Sequence, residues 1–571
     1  MFVRVKNTPN SPRKSVQIVK SVRKGNKVSQ KIIRHVGVAM DEDELEKLKQ
    51  LAESIKIKLE ADNQQLLFPP EELAKMKTRS EGLKEKITDK DYQVDIRNLS
   101  EEQRVINGIQ DVYGSLFEEL GFNRVIKNPA RNKCSVEIFK NIVLARIANP
   151  LSKRASVDML EEDFGVTLNL NSVYQMMDKL DDRAIEKINN VAYQNTSSLF
   201  QNKIDVIFFD CTTIYFETFE EDVLRQNGFS KDLKFNQPQV LLALMVTAEG
   251  LPLGYQLFEG SKYEGHTLIP MLTELKKKYN LNKVVFVADA GMMNEKNLVT
   301  LENKNNLDEF KDNKFEYIVG ARIKSIPAKL KEQVLNLENY TEINDIETGY
   351  KIATFEYNNR KLVVSYSPKR ARKDAFDRQK AIERLKKKLL KQKNPKEYLS
   401  KFGNSKYLLL KGDATVQLNT EKIESDSKWD GLLGVITNST ELSNTEIFNQ
   451  YCSLWQVENA FRVTKHDLKV RPVYHWKPSR VKAHIAIAFV AYTMVKHLEY
   501  RVKLQFKKLS PEKIRQILIK VQTSIMYDSK KNIRYAIPSK SSLEAKKIYK
   551  ILGIPLKSTP YILEKCSARQ K

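Results

Sequence analysis

Cysteine is scarce in this chain of 571 residues: Cys134, Cys211, Cys452 and Cys566 stand far apart and form no CxxC pair. That pattern excludes a cysteine zinc site and a dithiol redox motif, and it fits a reducing, cytoplasmic setting. Long apolar runs are missing too. The longest, IAIAFVAYTMV at 485–495, is bounded by Lys482, His484 and Lys496 and is too short to span a bilayer, so it reads as a buried core helix with no membrane partner. The opening MFVRVKNTPNSPRKS carries charge without an apolar segment, which argues against a secretion signal. No internal repeat is visible. Acidic residues are outnumbered: 97 Lys plus Arg stand against 71 Asp plus Glu, giving a formal charge of +26 and a pI near 9.5. Such an excess favours a polyanionic partner, nucleic acid first, with a generally basic soluble protein as the bland alternative.

What is present is enough for packed cores, since 41% of residues are hydrophobic and the length suggests about three or four domains. Residues 1–98 begin with short β-prone runs (MFVRV, SVQIVKSV, KVSQKIIRHVGV), pass into a helix from DEDELEKLKQ, and end in a polar stretch. Residues 99–200 show helical periodicity throughout. The late segment LNLNSVYQMMDKL could hold a helix-turn-helix, with Lys153, Arg154 and Lys179 as groove or phosphate ligands, or it could be an ordinary bundle whose apolar face is Val173, Met176, Met177 and Leu180. Residues 201–505 alternate strands and helices: IDVIFFD, QVLLALMVTA, LPLGYQLFEG, a helix at 266–279, KVVFVAD and FEYIVGARI. Three strands, a helix and two more strands predict an RNase H-like α/β core with a mixed five-stranded sheet. A β-rich insertion at about 324–428 contains the basic helix KRARKDAFDRQKAIERLKKKLLKQK, a solvated face or a DNA contact, and WDGLLGVITN resumes the core. Residues 506–571 read as a helical, lysine-rich tail.

Three acidic residues carry the chemistry. Asp210 ends the apolar run IDVIFFD, Asp289 ends KVVFVAD, and Glu458 lies in the helical pattern YCSLWQVENAFRVTK. A carboxylate at a buried strand end needs a cation or hydrogen bonds, and carboxylates converging on two divalent ions about 4 Å apart can clamp the attacking and leaving oxygens of a phosphodiester. Asp205 competes with Asp210, but the two are an odd number of residues apart and point to opposite faces of one strand. Tyr451, Glu458 and Lys465 fall at i, i+7 and i+14 of this helix and line one stripe, the competing reading being an amphipathic helix with Lys465 at its edge. Ser443 and Glu446 have capping-box spacing and start this helix. Trp455, Phe461 and Trp476 read as core, with base stacking on Trp476 the alternative, and His484 as packed or hydrogen-bonded.

These motifs, together with FFDCTTIYFET, GLPLGYQLFEG, GHT at 265–267, VADAGM, DGLLGVITNS and RPVYH, resemble the DDE transposases of bacterial insertion sequences over roughly 205–500. The likeness is to the branch with a Tyr-x2-Arg-x3-Glu-x6-Lys signature and a β-rich insertion, matched by Tyr451, Glu458 and Lys465, with Leu454 where the signature has arginine. Arg462 is then a replacement charge or an i,i+4 partner of Glu458, and Leu454→Arg is expected to be tolerated. The resemblance implies Asp210, Asp289 and Glu458 as catalytic metal ligands, two Mg²⁺ ions with Mn²⁺ substituting, and Tyr451, Lys465, Arg462, His475 and Arg480 on the DNA side. It also implies cleavage at insertion-element ends, joining of a 3′-OH to target DNA, and a homodimer on double-stranded DNA in the bacterial cytoplasm. A nuclease of the same fold that cannot join strands, and an inactive transposase-derived DNA-binding protein, are the alternatives.

Overall fold

The computed structural model describes residues 2–7, 14–24, 27–60, 92–201, 204–218, 220–228, 236–263, 266–272, 285–289, 295–302, 316–342, 350–391, 406–411, 415–463, 468–470 and 473–565. The chain divides into two compact units, Met1–Leu99 and Ser100–Lys571. In the first, β1 (Phe2–Asn7), β2 (Lys14–Lys24) and β3 (Lys27–Ala39) form an antiparallel meander. Helix α1 (Glu42–Glu60) packs on it, and Val16, Ile18, Ala39, Leu45 and Ala52 close a small core.

The second unit opens with β4 (Leu99–Ile106) and a set of helices: α2 (Asn107–Leu120), α3 (Lys133–Ala148), α4 (Lys153–Phe164), α5 (Leu170–Asp178) and α6 (Asp182–Leu199). In 99–200 the apolar face named for the bundle reading is buried. Val173, Met176 and Met177 of α5 are fully buried, and α5 packs on α3. Lys179 donates to Asn132 and Ser135, and Lys153 is 5% exposed, so neither is offered to a DNA groove.

Strands β5 (Val206–Tyr215), β6 (Gln239–Val246), β7 (Pro252–Glu259), β8 (Val285–Ala288) and β9 (Glu316–Gly320) lie in the order β7-β6-β5-β8-β9. β5, β6 and β7 are antiparallel neighbours, whereas β8 and β9 run parallel to β5. This is the RNase H-like arrangement, with the first strand in the middle. The 266–279 helix is described only as far as Leu272. The insertion does not leave the sheet: β10 (Thr341–Glu342), β11 (Lys351–Tyr357) and β12 (Arg360–Tyr366) extend it as its outer edge. The basic helix α7 (Pro368–Lys391) follows, then the hairpin β13 (Leu408–Lys411) and β14 (Thr415–Leu418). β15 (Leu432–Thr437) slots between β12 and β9. Gly431 is required at the entry to β15: its φ is +82°, and a Cβ there would lie 2.8 Å from the Ser367 carbonyl oxygen.

Burial on the sheet alternates by residue. Phe208 and Ile214 of β5, Leu242 and Leu244 of β6, and Val285 and Val287 of β8 belong to one apolar layer. Ile207, Phe209, Cys211, Ala243, Phe286 and Ala288 belong to the layer on the other face. The first layer is completed by α8 (Asn444–Cys452), α9 (Trp455–Arg462) and the 28-residue α10 (Pro478–Gln505), which is buried almost continuously from Val481 to Leu498. Residues 506–571 correct the helical-tail expectation. After α11 (Pro511–Ile519), β16 (Gln522–Asp528), β17 (Ile533–Pro538) and β18 (Tyr561–Lys565) join β4 in a four-stranded sheet. The pairing partner is some four hundred residues upstream, which local periodicity cannot reveal.

Candidate active site

The strand register brings the two aspartates together. β5 and β8 are parallel, with Phe208 opposite Val287 and Phe209 opposite Ala288 on strands roughly 4.8 Å apart, so Asp210 and Asp289 are the residues that follow the last register pair. Asp210 shares the parity of Phe208, and Asp289 that of Val285 and Val287, so both lie on the face carrying α8 and α9. Asp210 is half-buried and accepts from the Cys211 amide at 2.7 Å, while Asp289 is exposed. Asp205, at the other end of β5, uses its backbone carbonyl to accept from Val285. Beneath the sheet, the Cys211 sulfur lies 3.1 Å from the Thr267 hydroxyl, tying the GHT segment to β5.

Tyr451 comes from α8, whose capping box is formed as the spacing predicts: Ser443 accepts from the Glu446 amide, and Glu446 accepts from the Ser443 amide. Its hydroxyl donates to Asp289 at 3.4 Å. Burial first, and then the Asp289 charge, push the Tyr451 phenol well above its ordinary range, so it remains a neutral donor. Arg370, in the first turn of the basic helix, contributes positive potential at Tyr451 and Cys452. Sequence reasoning missed Arg370, since it lies in the insertion and no periodicity connects it to Tyr451.

The single helical stripe requires correction. α8 stops at Cys452 and α9 begins at Trp455; between them the bonds Leu454 N–H to Tyr451 O, Gln456 N–H to Ser453 O and Val457 N–H to Leu454 O are of i to i−3 type. Tighter 3₁₀ turns advance each residue by about 20° more than an α-helix does, so Tyr451 and Glu458 no longer share one straight face. Ser453 bonds back to the Asn449 carbonyl at 3.0 Å, a local competitor of the regular ladder. Glu458 is exposed in the first turn of α9, which packs on β5 and β6 through Val457, Ala460 and Phe461. Lys465 lies outside the described residues.

Leu454 is 8% exposed and part of the core, so the expectation that arginine is tolerated there fails: a charge would enter an apolar layer. Arg462 is exposed and pairs with the Asn459 side chain at 2.7 Å rather than with Glu458. Arg480 makes a two-pronged bond to Asp178, 2.7 Å on each arm, and its guanidinium lies over the Tyr174 ring at 5.0 Å. His475 packs edge-on against Tyr174, and burial lowers its pKa to about 4. His484 is buried with Nε2 at 3.1 Å from the Val470 carbonyl, as a packed histidine should be. Trp455 and Trp476 depart from the core expectation, at 53% and 65% exposed, whereas Phe461 is core. Trp476 borders an open pocket of about 460 Å³ past the end of β5, lined also by Tyr215, Phe216, Arg225 and Tyr474. Arg225 is held there by Asp222 and the Trp476 carbonyl.

The donor set is carboxylate oxygen throughout, which suits a hard divalent cation. The structure brings Asp210 and Asp289 together and places Glu458 on a helix of the same face. Among the described residues, however, no three His, Cys, Asp or Glu side chains gather closely enough to hold a metal ion.

A transposase DDE domain model matches residues 201–494, just over half of the chain, and so the chain belongs to the DDE transposase family. Within that family its first unit has a more particular likeness: residues 2–65 match the N-terminal domain of IS1634 family transposases. No curated protein matches. Among solved structures, the Mos1 transposase paired-end complex with left transposon end is similar at 15% identity, covering 46% of this chain and 73% of that one, with a TM-score of 0.13. The protein is therefore a DNA transposase of DDE type, a class of enzyme that works with divalent metal ions. Among the described residues, no helix is long and apolar enough to cross a membrane.

Proposed function

We propose that this transposase cuts insertion-element ends and joins the freed 3′-OH to target DNA, with Asp210, Asp289 and Glu458 as its catalytic metal ligands. The observation that supports this reading is the register of β5 and β8, whose last pair, Phe209 and Ala288, immediately precedes Asp210 and Asp289, together with the hydrogen bond from Tyr451 to Asp289. The ions are two Mg²⁺, for which Mn²⁺ substitutes, and when bound they supply charge stabilisation and activation of the attacking oxygen. Asp210, Asp289 and Glu458, exposed in the first turn of α9, would hold the ions, whose charge would offset the repulsion among the three carboxylates. Tyr451 orients Asp289 by its hydrogen bond. Arg370, Arg462 and Lys465 supply positive charge to the DNA backbone, and the exposed rings of Tyr474 and Trp476 offer stacking faces for bases. His475 and Arg480 border this surface; the ring packing of His475 on Tyr174 and the bonds of Arg480 to Asp178 suit them to holding its shape. Two ends must be held at once, so the working form is a homodimer on double-stranded DNA.

The experiment supplies end-containing duplex, target plasmid and Mg²⁺ or Mn²⁺ and looks for covalent end-to-target products. Joined products from the wild type, lost in Asp210→Ala, Asp289→Ala and Glu458→Ala with end binding retained, support the assignment. Cleavage without joining would identify a nuclease, and binding unaffected by all three changes with no cleavage would identify a DNA-binding relative.

A further inference from the structure

A basic recess adjoins the surface that carries Tyr474 and His475. Where α3 hands over to α4, a recess of about 490 Å³ is lined by Arg146, Lys153, Arg154, Lys469, His475 and His484, with no acidic side chain in its wall. It is a built site. Arg146 is 3% exposed, and its Nη1 donates to the Leu468 and Lys469 carbonyls at 3.0 and 2.9 Å. Lys469 itself sits at φ +41°, in the left-handed region that a lysine rarely adopts, and this conformation helps turn both carbonyls onto Arg146.

Two groups in the recess are unexplained by the fold. Lys153 is 5% exposed and, among the described residues, its side chain has no hydrogen bond or ion pair. Burial, and next the Arg146 charge, push its ammonium well below the ordinary lysine range. His484 is also 5% exposed, and its Nδ1 lacks any partner among the described residues while Nε2 is on the Val470 carbonyl. A buried cation without a counter-charge is expensive, and an unpaired polar atom beside it adds to that cost. The recess also opens at the start of the 12-residue α4, where Ser152 caps by accepting from the Ala155 amide and the helix dipole favours negative charge. One group would satisfy all of these: a tetrahedral oxyanion.

We infer that this recess is a phosphate site, filled by a backbone phosphate of bound DNA, with Lys153 as its central ligand and Arg154 and Lys469 at its rim. The inference rests on the transposase reading for its source of phosphate, but not on the catalytic carboxylates. It keeps the phosphate half of the sequence reading of Lys153 and drops the groove half.

The test uses the full chain and two probes. Thermal unfolding is followed in inorganic phosphate and in chloride at matched ionic strength, for the wild type, Lys153→Met and Arg154→Gln. Duplex DNA affinity is measured for the same proteins across a salt series. Phosphate should raise the wild-type Tm by at least about 2 °C over chloride. Lys153→Met should lose that shift while unfolding no earlier than the wild type in chloride, because the unpaired cation is gone. Its DNA affinity should fall about tenfold, with the slope of log K against log salt reduced by about 1. Arg154→Gln, a change of an exposed side chain, should weaken the phosphate shift, and it carries the test should Lys153→Met fail to fold. Equal phosphate shifts in all three proteins, or none in the wild type, overturn the site. A shift lost in the variants with an unchanged DNA slope overturns the DNA source in favour of a free small anion. Strand joining is read in neither arm, so failure of the catalytic assignment would leave these results standing.

Discussion

The Tyr451 hydroxyl donates to Asp289 across 3.4 Å, linking the end of α8 to the tip of a strand more than 150 residues earlier. The bond is long and Asp289 is exposed, so it orients rather than stabilises. Tyr451→Phe should therefore fold normally, and slow end cleavage by about tenfold, which corresponds to about 1.4 kcal/mol. Single-turnover cleavage at saturating metal reads this; an unchanged rate would remove Tyr451 from the site.

Leu454 gives a prediction opposite in sign to the one its position in the signature suggests. Since it is buried in the same apolar cluster as Val457 and Phe461, Leu454→Arg should lower stability by roughly 3 kcal/mol or more, while Leu454→Met should cost under about 1.5 kcal/mol. Denaturant unfolding of both variants distinguishes burial from a vacant DNA contact.

Asp426 governs an acid-sensitive contact in the insertion. Burial acts to raise its pKa, but Lys406, Lys324 and Lys422 together with the Tyr407 hydroxyl outweigh it and bring the value down to about 2. A folded-state value below the unfolded one near 3.9 adds stability above about pH 4, and that stability is lost as pH falls toward 2. Asp426→Asn should thus cost on the order of 2 kcal/mol at neutral pH and almost nothing near pH 2. Urea titrations at both pH values measure the difference.

The formal charge of +26 predicts steep salt dependence of DNA binding. With six or more phosphates neutralised, affinity should drop about a thousandfold between 50 and 200 mM salt. A flat response in a fluorescence-anisotropy titration would contradict a backbone-tracking surface.

Much of the core was legible because its strands are short apolar runs bounded by turn chemistry, and because a carboxylate ending such a run is conspicuous. Asp210 and Asp289 became candidates that way, and the Ser443–Glu446 capping box is a local device whose spacing suffices to specify it. The break at Ser453–Leu454 was not legible, since each half has helical periodicity and only hydrogen-bond geometry separates them. Nor was the exposure of Trp455 and Trp476, because an aromatic ring carries no mark of which face of its element will be covered.

From the order of residues alone came the sheet strands, the positive field and the identity of the acidic side chains, all properties of contiguous chain. Tertiary structure alone decided that Asp210 and Asp289 would be register neighbours, that β16–β18 would find β4, and that Lys153 would be enclosed beside Arg146 and His484. Those outcomes depend on contacts between segments tens to hundreds of residues apart, where burial and strand pairing act together and no local pattern records the result.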